Sequence, residues 1–275
     1  MEKVCKYKNG TIAYGMEGNG PVVMLIHGFG EYASIWNNQV QYLQSNYTVI
    51  TPFIPGTGKS TLLQSENDNP IEIKDYAIAL HAIVEAENIT SLVMLGHSLG
   101  GYITLAFAEI YPSLLKGFGL VHSTAFADSE EKKANRLKGI RIMQDYGAFA
   151  FIKTTIPNLF GANFKAAFPE KVDLLIAQAN VFNTTACQQY YEAMRIRPDR
   201  TNVLKNAGCP VLFIIGTEDI AAPMNDVLQQ LHLPTCSYVH ILENVGHMGM
   251  LESPNKVNEY FEEFLKTIYS SSLQL

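Results

Sequence analysis

The chain has 275 residues, of which 47% are hydrophobic and 17% are charged, so it can bury a large core in one domain with room for an inserted subdomain. Its formal net charge of −6 argues against nucleic acid or an anionic membrane surface as a partner. The sequence shows no apolar leader, no apolar run of membrane-spanning length and no Cys-x-x-Cys pair among its four cysteines. We therefore expect a cytoplasmic protein without a metal site or a disulfide framework.

Short apolar runs alternate with amphipathic helical patterns along most of the chain. The predicted strands are 3–8 and 11–16, joined by a turn at Asn9-Gly10, then 22–26, 47–51, 92–96, 116–121, 211–215 and 237–242. The predicted helices are 34–45, capped by Ser34, then 71–87, 102–111, 223–231 and 255–269. This alternation predicts the α/β class, with a mostly parallel central sheet of about eight strands and helices on both faces.

Residues 124–200 break this alternation. They show helical periodicity and ten aromatic residues but no convincing buried strand, which predicts a helical cap inserted between two parts of the core, 1–123 and 201–275. The segment carries 11 Lys/Arg against 8 Asp/Glu, whereas the rest of the chain carries 9 against 18. Two interpretations fit this contrast: the cap and the core attract each other, or the cap attracts a carboxylate-bearing substrate.

A Gly-x-Ser-x-Gly motif follows the predicted strand 92–96 and leads directly into a helix. The motif is Gly96-His-Ser-Leu-Gly100. In this strand-turn-helix context the central serine stands on a sharp turn above the sheet, where it is presented as a nucleophile. The glycines leave room where a Cβ would meet the neighbouring strand and helix. The context predicts Ser98 as a nucleophile.

A serine nucleophile needs a base, and the base needs an orienting acid. In a parallel sheet these groups are expected beyond the carboxyl ends of strands. Of the seven histidines, His247 is the best candidate for the base, because it follows the last predicted strand and has glycines near it on both sides. Asp219, which follows strand 211–215, is the best candidate for the acid, with Glu218 as its close rival and Asp128 as a remote one. His122 is expected to line the pocket.

The chain order Ser98, Asp219, His247 is that of α/β-hydrolases. Four sequence pieces lie in the order found in that fold: His27-Gly-Phe-Gly30, Gly96-His-Ser-Leu-Gly-Gly101, Gly216-Thr-Glu-Asp219 and Gly246-His247. Over nearly its whole length the chain resembles an α/β-hydrolase-fold serine hydrolase of the capped esterase and lactonase-like branch. The resemblance implies that Ser98 is the nucleophile, Asp219 the acid and His247 the base. It also implies that the backbone N–H groups of Phe29 and Leu99 form the oxyanion hole.

Phe53 is a departure from the family pattern. Members of the family often carry an Asp two residues before the Pro-Gly of this loop, and here that position is Phe53. The change is expected to alter the bracing of the loop or one wall of the pocket. The same Phe53 argues against a phosphate-binding loop ending in Gly58-Lys59-Ser60, because that motif needs glycine at this position.

Three functions remain open from the sequence. The first is a hydrolase that cleaves a small carboxylic ester, thioester or lactone through an acyl-enzyme on Ser98, without a metal or organic cofactor and with a small acyl compound as its partner. The second is a C–C bond hydrolase, or a lyase or synthase, acting on an anionic keto or enol acid. Basic cap residues would then reach the pocket, and the candidates are Arg136, Arg141, Arg195, Arg197 and Arg200. The third is a ligand receptor without turnover, which an intact Ser-Asp-His set argues against.

Overall fold

The computed structural model describes residues 1–65 and 69–270. Its strands are β1 (Glu2–Tyr7), β2 (Gly10–Glu17), β3 (Val22–Ile26), β4 (Thr48–Pro52), β5 (Leu92–His97), β6 (Leu115–Val121), β7 (Val211–Gly216) and β8 (Ser237–Leu242). They form one sheet in the order β1-β2-β4-β3-β5-β6-β7-β8. The pairings of β1 with β2 and of β2 with β4 are antiparallel, and the others are parallel. The predicted α/β class, with its mostly parallel eight-stranded sheet, is therefore confirmed.

Helices cover both faces of this sheet. Those before β7 are α1 (Asn37–Leu43), α2 (Ile73–Ala86), α3 (Leu99–Ile110), α4 (Glu130–Tyr146), α5 (Ala148–Thr155), α6 (Ala162–Ala167), α7 (Pro169–Gln178), α8 (Thr184–Ile196) and α9 (Thr201–Lys205). Those after it are α10 (Met224–Leu228), α11 (Gly249–Glu252) and α12 (Pro254–Ser270). None of the helices in the described part of the chain has both the length and the apolar character that a membrane span requires.

The core lies in two layers, one on each face of the sheet. Along β3, Met24 and Ile26 belong to the layer under α2 and α3, whereas Val23 and Leu25 belong to the layer under α1 and α12. Successive side chains of a strand point to opposite faces, so a strand covered on both sides must be apolar throughout. This requirement explains the uninterrupted apolar run of β3.

Helices α4 to α8 lie between β6 and β7, within the segment predicted to be helical. They contact the loops at the carboxyl ends of the strands. The Tyr190 hydroxyl donates a hydrogen bond to the Pro55 carbonyl at 2.6 Å, and the His247 backbone N–H donates to the Leu159 carbonyl at 2.6 Å. The inserted helices therefore cover the edge of the sheet where the predicted site residues stand.

Local details differ from the sequence prediction at several places, and three of them concern a turn or the start of a helix. The β1–β2 turn is formed by Lys8 and Asn9, with Lys8 at φ +48°, and Gly10 already pairs with Tyr7 in the ladder. The predicted helix 34–45 begins as a 3-10 helix at Ala33, so Ser34 lies inside it and does not cap it. Helix α3 begins three residues earlier than predicted, because the chain turns into it directly after Ser98.

Candidate active site

Ser98 stands on a strained turn between β5 and α3. Its backbone has φ +51° and ψ −115°, a region that a non-glycine residue occupies at a cost on the order of 1–3 kcal/mol. The turn is tight on both sides: a Cβ on Gly100 would lie 2.4 Å from the Ile26 carbonyl oxygen, and one on Gly96 would lie 2.1 Å from the Gly100 carbonyl oxygen. The two glycines of the motif therefore allow α3 to pack closely on β5 and β3, and they leave the Ser98 side chain half-buried at the strand end.

Asp219 and His247 meet at the same edge of the sheet. Asp219 follows β7 and His247 follows β8, and His247 Nδ1 lies 2.8 Å from Asp219 Oδ2. The other carboxylate oxygen of Asp219 accepts hydrogen bonds from the backbone N–H groups of Ala221 and Ala222, both at 2.9 Å. Because Asp219 accepts from Nδ1–H, the lone pair of the His247 ring is on Nε2, which is the tautomer a general base needs.

The electrostatics of the pair favour an ionised Asp219 and a more basic His247. Burial disfavours an ionised Asp219, but the attraction of His247 and the hydrogen bonds from His122 and His247 outweigh it and hold the pKa of Asp219 well below its ordinary value. Burial likewise disfavours a protonated His247, yet the Asp219 charge and hydrogen bond raise the pKa of His247 above its ordinary 6.5. His247 is therefore a stronger base than a histidine in water.

Ser98 and His247 are neighbours without a direct hydrogen bond. Within residues 1–65 and 69–270, Ser98 Oγ has no hydrogen-bond partner. The ring of His247 lies 4.7 Å, centroid to centroid, from the ring of His97, the residue before Ser98. The structure thus joins Asp219 and His247 directly, and it places Ser98 directly after His97, whose ring contacts the ring of His247. Hydrogen bonds of this kind are often long in ligand-free enzymes.

His122 lies beside the pair of Asp219 and His247. Its Nδ1 approaches the same Asp219 oxygen at 3.2 Å, and its side chain is fully buried. Burial lowers the pKa of His122 to about 4, so the ring stays neutral and donates to Asp219. The structure places the His122 ring against the Asp219 carboxylate, and its role in lining a pocket stays a prediction. His122, Asp219 and His247 are also close enough to hold a metal ion, but their facing atoms are joined to one another by these hydrogen bonds.

The loop after β3 offers the predicted second backbone donor. Phe29 and Leu99 both have a backbone N–H that finds no acceptor among the described residues. His27 fixes this loop: its Nδ1 faces the Gly28 carbonyl at 2.8 Å, and its Nε2 accepts from the Ile54 N–H at 3.1 Å. These are the two N–H groups that the sequence predicts for the oxyanion hole, and that role stays a prediction.

Glu31 and His97 form a second buried carboxylate–histidine pair that sequence reasoning missed. Glu31 Oε2 lies 3.0 Å from His97 Nδ1 and accepts from the Gly28 N–H at 2.6 Å. His97 Nε2 contacts the backbone carbonyl of His247 at 2.9 Å. The pair therefore ties the loop after β3 to the loop that carries the base. The one signal in the sequence was an acid directly after the His-Gly-Phe-Gly piece.

Aromatic residues of the inserted helices stand over the loop after β3. The Phe29 ring lies 4.5 Å from Tyr191 and 6.4 Å from Phe151, centroid to centroid. Phe53, in the neighbouring loop after β4, is half-buried and packs against Gly58, where a Cβ would lie 2.5 Å from its ring. Its role as a pocket wall stays a prediction.

Comparison with known proteins agrees with this architecture. A sequence profile for the α/β-hydrolase fold matches residues 21–154. The (E)-2-((N-methylformamido)methylene)succinate hydrolase of Acinetobacter baylyi is 26% identical over 261 residues, which cover 94% of this chain and 95% of that protein. A monoacylglycerol lipase of Bos taurus is 22% identical and covers 94% of this chain and 79% of its own length.

Two solved structures show the same fold. A thermophilic esterase from Thermogutta terrifontis superimposes with a TM-score of 0.90 at 24% identity, covering 98% of this chain and 99% of its own. The enol-lactonase from Burkholderia xenovorans superimposes with a TM-score of 0.85 at 19% identity, covering 96% and 100%. Together with the sheet order and the strand-turn-helix around Ser98, these likenesses identify the chain as a protein of the α/β-hydrolase fold, among relatives that are hydrolases, esterases and lipases.

Proposed function

We propose that this protein is a serine hydrolase that cleaves a small carboxylic ester, thioester or lactone through an acyl-enzyme on Ser98. The observation that carries the proposal is the 2.8 Å contact between Asp219 and His247 beside a serine held at positive φ. An acid, a base with its lone pair on Nε2 and a serine on a sharp turn are the parts that acyl transfer requires.

The first half of the reaction transfers the acyl group to the enzyme. His247 Nε2 takes the proton of Ser98 Oγ as this oxygen attacks the carbonyl carbon, and Asp219 stabilises the imidazolium that forms. The N–H groups of Phe29 and Leu99 hold the oxyanion, and losing one such donor typically costs about 10²–10³ in rate. His247 then gives its proton to the leaving group as the bond to the carbonyl carbon breaks.

The second half returns the enzyme to its starting state. Water attacks the acyl carbon, and His247 Nε2 takes a proton from it. The tetrahedral intermediate collapses, Ser98 Oγ leaves with the proton held by His247, and the carboxylic acid is released. Apart from the attacking water, the proposed steps involve only side chains and backbone groups of the chain.

A second candidate is a hydrolase, lyase or synthase that acts on an anionic keto or enol acid. The observation that favours it is the relative from Acinetobacter baylyi, whose name describes hydrolysis of a succinate derivative and whose sequence aligns with 94% of this chain. The same serine, base and oxyanion donors would serve that reaction, and the difference lies in the groups that recognise the substrate.

The first experiment is release of p-nitrophenol from a short-chain acyl ester at pH 8, followed in the first milliseconds to seconds. We expect a burst equal to the enzyme concentration in the parent protein, because the acyl-enzyme accumulates when its hydrolysis is slower than its formation. Ser98→Ala should show no burst. Ser113→Ala, an exposed serine just beyond the far end of α3, should behave as the parent.

Two outcomes would contradict the proposal. A burst that survives in Ser98→Ala would place the acyl group on another residue. An absence of burst and of turnover in the parent, across esters, thioesters and lactones, would favour the keto or enol acid reaction instead.

A further inference from the structure

Two arginines share one buried carboxylate beneath the inserted helices. Arg136 Nε donates to Asp128 Oδ2 at 3.0 Å, and Arg197 Nη1 lies 2.8 Å from Asp128 Oδ1. The side chains of Asp128 and Arg197 are 1% and 3% exposed, and that of Arg136 is 19% exposed. We call these three residues the arginine cluster. It holds two positive charges and one negative charge, so one positive charge is left unbalanced in a place with little water.

The arginine cluster contacts side chains that connect it to α3 and to the loop after β3. The Arg197 guanidinium stands 3.9 Å over the ring of Tyr102, which lies in the first turn of α3, and the backbone N–H of Tyr102 donates to the Ser98 carbonyl. The Arg136 guanidinium stands 4.8 Å over the ring of Tyr191, which in turn packs on Phe29. The cluster is therefore one side chain away from both elements that carry the proposed oxyanion donors.

The two arginines differ in what they can still bind. Arg197 is satisfied on its terminal nitrogens, because Nη1 donates to the Met194 carbonyl at 2.9 Å and Nη2 to the Phe126 carbonyl at 3.0 Å. Arg136 uses Nε for Asp128, and within residues 1–65 and 69–270 no carboxylate or carbonyl oxygen accepts from its Nη1 or Nη2. The neutral Tyr191 hydroxyl also interacts with Arg136, and a carboxylate is the stronger acceptor. The terminal N–H groups of Arg136 are therefore available to a further acceptor, and Arg136 carries the positive charge of the cluster that Asp128 does not balance.

The other arginines of the segment do not offer the same combination. Arg195 is paired with Glu192 on its own helix. Arg200 keeps a buried Nη1 without a partner, but its Nε is paired with Glu109 at the end of α3 away from Ser98. Arg141 is exposed to solvent, where its charge is screened. The excess positive charge of residues 124–200 is therefore brought close to the proposed site at Arg136.

We propose that Arg136 is a binding residue for a free carboxylate on the substrate, which accepts hydrogen bonds from Nη1 and Nη2. The substrate class is then an ester, thioester or lactone that also carries a carboxylate group. A guanidinium matches a carboxylate with two parallel hydrogen bonds, and such charge-assisted bonds are about twice as strong as neutral ones. This inference rests on the proposed function, since it assigns a substrate class to the same site. The competing interpretation is that the cluster only fixes the inserted helices to the core.

The test compares p-nitrophenyl hydrogen succinate, which carries a free carboxylate, with its methyl ester, in which that carboxylate is blocked. We expect the parent to prefer the carboxylated ester in kcat/KM. Arg136→Met should lower kcat/KM for the carboxylated ester about 10- to 100-fold, the range expected for lost hydrogen bonds to a charged group, and should leave the methyl ester within about threefold. Arg136→Lys, which keeps the charge but loses the two-pronged geometry, should fall between.

Arg141→Met is the matched control. It removes the same charge from the same helix at an exposed position, so it should leave both substrates unchanged. A parent without preference for the carboxylate, or an Arg136→Met variant that loses the same factor on both substrates, would overturn the inference and leave the proposed function intact. If Arg136→Met does not fold, the parent's preference and Arg136→Lys decide. A parent that hydrolyses neither ester would count against the proposed function itself.

Discussion

Two buried carboxylates hold the loop after β8 that carries His247. Asp219 does so directly, and Glu31 does so through His97. Asp219 contacts the ring of His247 directly, at 2.8 Å. Glu31 contacts the ring of His97, and His97 in turn holds the backbone carbonyl of His247 at 2.9 Å. Both acids are almost fully buried, and both have a depressed pKa despite the burial that opposes ionisation, because histidine contacts outweigh it.

The two pairs differ at the second nitrogen of the ring. Both nitrogens of His97 are occupied, Nδ1 by the Glu31 carboxylate and Nε2 by the His247 backbone carbonyl. His247 Nε2 has no partner in the described part of the chain and is free to gain and lose a proton. We therefore expect a buried carboxylate and a histidine to form a reacting pair where the second ring nitrogen is open, and a supporting pair where that nitrogen is occupied. Variants of these residues should separate the two roles by how much activity or stability each variant loses.

Replacing Asp219 should have the largest effect. In Asp219→Asn the amide can donate to Nδ1, which moves the ring proton of His247 to Nε2 and removes its ability to act as a base. Loss of the acid in Ser-His-Asp enzymes lowers kcat by about 10⁴, and we expect that magnitude here. The measurement is kcat for p-nitrophenyl ester hydrolysis. Glu218→Gln, at the adjacent carboxylate that binds the Ala162 N–H, should stay within about threefold of the parent.

The outcome that would reverse this assignment is a severe loss in Glu218→Gln with a mild one in Asp219→Asn. The comparison of the two buried pairs would then be wrong, because Asp219 would be the supporting acid.

His122, the third histidine near Asp219, should control acid stability and not catalysis. Its folded-state pKa of about 4 lies below the ordinary 6.5, so between these values the unfolded chain binds a proton that the folded chain does not. Stability is therefore fully present above pH 6.5 and is lost as the pH falls toward 4, by about 3 kcal/mol for this residue. His27, whose burial also lowers its pKa to about 4, should add a similar amount.

The measurement is the urea midpoint and slope at pH 7 and pH 4.5. His122→Asn suits the position, since asparagine tolerates the left-handed backbone found there at φ +49°. We expect this variant to lose clearly less stability between the two pH values than the parent, whatever its stability at pH 7. His232→Asn, at a histidine remote from Asp219 in the turn before β8, should keep the pH dependence of the parent. Equal losses in parent and His122→Asn would show that His122 titrates normally in the fold.

The strands and loops that hold the candidate site could be predicted from the sequence, because each of them has a local sequence signal. Strands β3 and β8 begin and end where predicted, since turn residues bound their apolar runs. Ser98, Asp219 and His247 could be found because parallel strands bring their carboxyl ends to one edge, so position after a strand indicates position in space. That rule predicts neighbours at an edge, and the 2.8 Å contact between Asp219 and His247 is such a pair of neighbours.

The supporting contacts could not be predicted, because they depend on which way a side chain turns over a long sequence distance. Glu31 and His97 are 66 residues apart, and no local pattern indicates that an acid after a glycine loop points inward. His122 follows a strand just as Asp219 does, yet its ring turns back under the sheet edge. Arg136 was one of five arginines, and the packing of α4 on α8 decides which one faces the core.

Replacing Glu31 should have the smallest effect on kcat, and it tests most directly whether the Glu31–His97 pair only supports the Asp219–His247 pair. Glu31→Gln removes a buried negative charge and weakens the contact through which His97 positions the His247 carbonyl. We expect kcat to fall about tenfold with little change in KM, since small displacements of catalytic groups lower the rate more than they weaken binding.

The acid limb of kcat/KM should also move to lower pH. The Glu31 charge contributes to the raised pKa of His247, and without it a less basic His247 stays unprotonated to lower pH. The pKa of Glu31 is depressed in the fold, so its contribution to stability is present above its ordinary pKa and is lost as the pH falls through the folded value. The difference in stability between parent and variant should therefore be largest near neutral pH and should disappear in acid.

A kcat loss near 10⁴ would mean that Glu31 acts in the chemistry as Asp219 does. An unmoved acid limb with a lower stability would mean that Glu31 contributes to packing alone.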